Sequence, residues 1–160
     1  MLGVEHPELA TSIGDQFATQ GLWETPDTVQ TLMQYPEQKC QAHFESTYMN
    51  SHGANRLEFM CADATLYLDR GRYEILPERK SKVKADAMIL GEGPRGKDFY
   101  DNPHGERLHL ANWIECIRSR QRPNCPAEAG VSSAAAAHLA NHAYRTGQVA
   151  HWKDVAKTKG

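Results

Sequence analysis

Two hydrophobic periods divide this chain, and they occupy different halves of it. From Leu9 to about Pro77 apolar residues recur at every second position, and from Glu106 to Gly147 they recur at every third or fourth. A period of two marks a strand with one packed face, and a period near 3.6 marks an amphipathic helix. Strands followed by helices, without alternation between them, predict an α+β fold of antiparallel neighbours.

The clearest strand runs from Cys40 to Tyr48, where Cys40, Ala42, Phe44, Ser46 and Tyr48 alternate with Gln41, His43, Glu45 and Thr47. Val29, Thr31, Met33 and Tyr35 repeat the pattern, and Tyr35-Pro36-Glu37 turns the chain. Leu57 to Cys61 and Thr65 to Asp69 read as a tight hairpin, and Arg70-Gly71 turns into a strand from Tyr73 to Leu76. A less regular strand is expected around Leu9 to Thr19, and a short one from Val149 to Trp152. Residues 78 to 105 read as a polar connection rich in Gly, Pro and Lys.

The first helix is expected from Glu106 to Arg120, with Leu110, Ile114 and Ile117 on one face, Trp113 beside them, and Arg122-Pro123 ending it. The second opens near Pro126, whose missing N–H suits a first turn, and stops at Gly147. Its small-residue run, Ser132 to Ala137, suits close packing against a sheet or another helix.

At 160 residues, 40% of them hydrophobic and 24% charged, the chain fits one folded domain. A net charge of -2 with mixed signs gives no basic stripe for nucleic acid. No apolar run approaches the roughly 20 residues that span a bilayer, and Met1 to His6 do not resemble a signal peptide. A cytoplasmic location is the default expectation. Cys40, Cys61, Cys116 and Cys125 match no zinc pattern and are expected to be reduced, buried small residues.

Three motifs attract a chemical reading. Gly91-Glu92-Gly93-Pro94-Arg95-Gly96 spells a dinucleotide fingerprint, but Pro94 removes one backbone N–H and no helical period follows, so it reads as a glycine-rich loop. His138 and His142 have the one-turn spacing of metal ligands, yet lack a third ligand and read as ordinary helix histidines, one packed and one partly exposed. The cluster Tyr48-Met49-Asn50-Ser51-His52-Gly53 follows the best strand. Asn50 and His52 present donors and acceptors at short range and are the candidate contacts for a sugar-like ligand. The same residues also suit an ordinary polar loop. No nucleophile elbow and no cysteine signature is found, and no catalytic, cofactor-binding or metal-binding residue is assigned.

In order along the chain stand Glu24-Thr25-Pro26-Asp27-Thr28, Tyr35-Pro36, Phe44-Glu45-Ser46-Thr47, Leu57-Glu58-Phe59 and Ala64 to Arg70. His109-Leu110, Asn112-Trp113-Ile114, Cys116-Ile117-Arg118-Ser119-Arg120, Arg122-Pro123-Asn124 and His138 to Arg145 complete the set. Over roughly residues 8 to 152 this ordered set resembles the C-terminal domain of the bacterial Gfo/Idh/MocA oxidoreductases. The resemblance implies a large, mainly antiparallel (mixed) sheet with helices packed on one face, similar to the C-terminal domain of glyceraldehyde-3-phosphate dehydrogenase.

It further implies a single substrate-side and oligomerisation domain that lacks its first helix and the nucleotide-binding domain. Such a domain binds no cofactor alone, NAD(P) belonging to the full-length enzyme, and is inactive alone. The implied partners are a second copy, in a homodimer or higher homo-oligomer through the sheet, a separate nucleotide-binding half, and a sugar-like small molecule. The alternative is a non-catalytic sugar-binding or dimeric scaffold module. Cys61 and Ala64 stand where relatives carry hairpin glycines, so a turn needing positive φ would be strained there.

Overall fold

The computed structural model describes residues 5–19, 21, 23–50, 56–69, 72–89 and 105–156. Along the chain these form β1 (Leu9–Asp15), β2 (Thr28–Tyr35), β3 (Cys40–Thr47), β4 (Arg56–Met60), β5 (Ala64–Asp69), β6 (Arg72–Pro77) and β7 (Asp86–Ile89). There follow α1 (Gly105–Ser119), α2 (Ala127–Thr146), β8 (Ala150–His151) and α3 (Trp152–Val155). The result is the α+β class expected, with every described strand pair antiparallel. The strands form two four-stranded sheets, in the orders β3-β2-β1-β8 and β4-β5-β6-β7. They fall in two compact units, Met1–Asn50 with Arg122–Gly160, and Ser51–Gln121.

In the first unit β1 pairs with β2 from Leu9↔Gln34 to Asp15↔Thr28. This register puts Ala10, Ser12 and Gly14 on one face with Val29, Thr31 and Met33. Helix α2 covers that face. Ala135, Leu139 and Ala143 recur every four residues, and Leu139 and Ala143 close a core with Ala10 and Ala150, flanked by Met33, Trp152 and Val155. Small side chains let helix and sheet approach closely, as the alanine-rich run requires. Ser12 and Thr31 share a 2.8 Å hydroxyl bond across the ladder, so the polar pair inside this face is satisfied. Gly147, at φ 64°, ends α2 in the left-handed cap expected of it. Pro126 stands just before the helix, in extended conformation, as its cap residue.

Several boundaries differ from the sequence reading. Strand β1 stops at Asp15, because the amides of the following segment bond to Asp27 instead of continuing a ladder. The last strand is only Ala150–His151: the Trp152 N–H still reaches the Glu8 carbonyl in the same register, but from Trp152 onward the chain coils into α3. The polar connection after Pro77 contains strand β7, held on β6 by its ladder and by a 2.8 Å bond from the Tyr73 hydroxyl to Asp86.

In the second unit the β4–β5 hairpin closes through a bond from Cys61 N–H to the Ala64 carbonyl. Neither residue takes a positive φ, so the missing glycines impose no strain. The register sorts most of the side chains onto two chemically different faces, with Met60 and Leu76 on the more polar one. Leu57, Phe59, Leu66, Leu68, Tyr73 and Ile75 share one. Tyr67, Asp69, Arg72 and Glu74 share the other, where Arg72 bonds Asp69 at 3.1 Å and Glu74 at 3.3 Å and lies 4.5 Å from the Tyr67 ring centre. The apolar face is partly open to solvent: Leu57 is 60% exposed and Met88 48%. The stripe Leu110, Trp113, Ile114 and Ile117 of α1 is likewise exposed rather than packed. All four cysteines are free, as expected, but Cys61 and Cys125 are exposed and Cys40 and Cys116 half-buried, not core residues.

Candidate functional site

Three backbone segments meet at the end of the first sheet where β1 leaves and β2 enters, and a single carboxylate joins them. Asp27 directly precedes β2, and only 1% of its surface is exposed. One oxygen, Oδ2, accepts the N–H groups of Ala18 at 2.8 Å and Thr19 at 3.0 Å, and the Thr19 hydroxyl at 3.0 Å. The other, Oδ1, accepts the Thr28 hydroxyl at 3.0 Å. The Asp27 carbonyl receives the Tyr48 N–H at 2.9 Å, tying the exit of β3 to the same point. Gln16 braces the loop by donating its side-chain amide to the carbonyls of Trp23 and Thr25.

These bonds set the charge state. Burial alone pushes the Asp27 carboxyl up, but the amides of Ala18 and Phe17 and the hydroxyls of Thr19 and Thr28 outweigh it, holding the group at about 2. Asp27 is therefore an anion at neutral pH with its acceptor sites engaged. It is an organiser, not a proton donor.

The organised segments present aromatic surface to water. Phe17 is 61% exposed, Trp23 47% and Tyr48 78%. Asn50, one of the two sequence candidates, is exposed two residues beyond Tyr48. Met49 N–H donates to the Thr47 hydroxyl at 3.1 Å, which fixes the turn leading to Asn50. His52 lies outside the described residues, as does the glycine-rich loop Gly91 to Gly96. His138 and His142 are both exposed on α2, correcting the expectation that one packs. Among the described residues no group of three potential metal ligands occurs. Sequence reasoning missed Asp27. The available signal was an acid between Pro26 and Thr28 at a strand entry, in a segment used only to carry the resemblance.

No protein-family model and no curated protein sequence matches the chain. Solved structures do. An oxidoreductase from Agrobacterium radiobacter, in complex with NAD+, L-tartaric acid and magnesium, superposes with a TM-score of 0.65 at 10% identity, over 94% of this chain and 44% of that one. The aldose-aldose oxidoreductase of Caulobacter crescentus, complexed with glycerol, gives 0.63 at 15% identity, over 92% and 42%. The WlbA dehydrogenase of Bordetella pertussis, in complex with NADH and UDP-GlcNAcA, gives 0.53 at 15% identity, over 91% and 39%. The chain has the α+β fold of one part of these oxidoreductases. The chain spans about two fifths of the length of these neighbours.

A dinucleotide site of the ordinary kind needs parallel strands joined by crossover helices, with a helix N-terminus facing the pyrophosphate. Among the described residues every strand pair is antiparallel. No described helix is long and apolar enough to cross a membrane.

Proposed function

We propose that this chain is the substrate-side and oligomerisation domain of an NAD(P)-dependent sugar or cyclitol oxidoreductase, and that it requires a nucleotide-binding half to catalyse. The carrying observation is the asymmetry of coverage: nearly all of this chain matches, but only 39–44% of each neighbour does. The three neighbours were solved with NAD+ or NADH, or with small polyhydroxylated molecules, or with both. In this reading the nicotinamide cofactor supplies hydride chemistry from the other half. The residues here shape and orient the substrate.

The loops joined by Asp27 are the proposed substrate-facing surface. Exposed aromatic rings offer flat apolar faces to the C–H side of a sugar, and the Asn50 amide offers a donor and an acceptor to its hydroxyls. His52 is proposed as a second contact. The apolar face of the β4–β7 sheet is the proposed contact with a second copy, because an open face lined by Leu57 and Met88 is covered in a stable assembly.

The test is light scattering on the purified chain, followed by thermal melts with NAD(H) and with D-glucose, myo-inositol and glycerol. A defined oligomer whose Tm rises with a sugar or polyol and not with NAD(H) supports the reading. A ligand at about 100 times its Kd stabilises by roughly 2.7 kcal/mol, which a melt resolves. A rise with NAD(H) alone overturns it.

A further inference from the structure

Hydroxyl groups that touch in a row share out their protons, and the row beside Asp27 has only one consistent arrangement. The Thr28 hydroxyl donates its single proton to Asp27 Oδ1, 3.0 Å away. It therefore acts as acceptor in its 3.0 Å contact with the Thr47 hydroxyl, and Thr47 is the donor there. With its own proton committed to Thr28, Thr47 has only lone pairs to offer, and these receive the Met49 N–H at 3.1 Å. The carboxylate thus sets the direction of the Thr28–Thr47 bond, the one link of the row whose direction is otherwise open, and the row runs from β2 across to the turn that carries Asn50. The charge strengthens the first link, and polarisation passes along the others.

We propose that Asp27 is a positioning residue of the substrate site, acting on Tyr48–Asn50 through the hydroxyls of Thr28 and Thr47. The same carboxylate holds Ala18 and Thr19 through its other oxygen, so the Phe17 loop and the Asn50 turn are ordered by one group. The relay rests on geometry alone. Its positioning role rests also on the substrate-side reading above, and the two fail differently.

The experiment is amide hydrogen exchange by NMR on the full chain, with Thr28→Val and Asp27→Asn. Thr28→Val keeps the shape of the side chain and removes the relay. It should speed exchange at Met49 by about tenfold or more, leaving Ala18 and Thr19 as in the parent. Asp27→Asn should loosen Met49, Ala18 and Thr19 together. If it does not fold, Thr28→Val alone decides. Unchanged Met49 exchange in Thr28→Val overturns the relay.

Titration with D-glucose, myo-inositol and glycerol, read at the Asn50 side-chain amide, tests the positioning role. An apparent Kd about tenfold weaker in Thr28→Val at unchanged Tm supports it. Equal affinity with faster Met49 exchange overturns it. A parent spectrum unmoved by all three probes, with the exchange effects intact, sinks the substrate-side assignment and leaves the relay standing.

Discussion

Leu139→Ala tests the contact on which the first unit is built. The Leu139 side chain is fully buried, and its core neighbours are Ala10, Ala143 and Ala150. Removing three carbon atoms forfeits about 2.4 kcal/mol of transfer free energy at ~0.8 kcal/mol each. The alanines around the hole have no rotamers with which to fill it, so a cavity penalty adds to the transfer loss. Met33 is the flexible neighbour, able to recover part of that volume. The expected loss is therefore in the middle of the range for buried leucines, about 3–4 kcal/mol. For a chain of this size the corresponding drop in Tm is roughly 6–16 °C.

The assay is a thermal melt followed by circular dichroism, with urea unfolding to give the free energy. Val131→Ala, on the same helix but 70% exposed, is the control and should stay within about 0.5 kcal/mol of the parent. A Leu139→Ala loss below about 1 kcal/mol, or one matched by Val131→Ala, would refute the claim that this stripe seats α2 on β1.

Four further outcomes follow from named positions. Gly14→Ala should destabilise by about 1–3 kcal/mol, because a Cβ there would lie 2.6 Å from the Thr28 carbonyl; Gly130→Ala, in open space on α2, should stabilise by about 0.5–1 kcal/mol, both read by urea unfolding. The folded-state pKa of Asp27 lies below its ordinary 3.8, so its contribution is complete above that value and fades as pH falls toward about 2; Asp27→Asn should flatten stability against pH in that window, and an unaltered acid limb would count against the hydrogen-bonded anion. Leu57→Glu, on the open apolar face, should lower the mass by light scattering without lowering Tm, whereas an unchanged mass would place the proposed subunit contact elsewhere.

Period-two alternation made β2, β3 and the β4–β5 hairpin legible, because each sets apolar residues at every second position along one face. It failed where strand formation depends on a partner. Strand β7 has four residues and follows a lysine-rich stretch, so too little alternation precedes it to register. Its existence rests on the β6 edge and on Tyr73 reaching Asp86. Strand β1 was read too long because nothing local reveals that Ala18 and Thr19 bond a residue eight or nine positions ahead. The site was legible only as a polar turn containing Asn50. The importance of Asp27 comes from hydroxyls and amides that converge from Thr19, Thr28 and Thr47, and that convergence exists only after the three strands are in register.

The two sheets show how one sequence pattern leads to different roles. Both alternate, and both gather apolar residues on one side. On the first, that side receives the Ala135-Leu139-Ala143 stripe, and the match of small residues to a close-packed sheet is visible in the sequence of α2. On the second, the apolar residues are bulky, and Leu57 and Met88 remain about half exposed although the opposite face is laced by Arg72, Asp69, Glu74 and Tyr67. Met60 and Leu76 stand on the ion-paired face. A sheet that served only as a solvated edge would nevertheless not keep most of its large apolar side chains opposite its ion pairs. The separation is costly for an isolated chain, since exposed leucine and methionine favour non-specific association. It becomes favourable once a second surface covers the face, which is why the assembly, rather than any single side chain, is the proposed role of that unit.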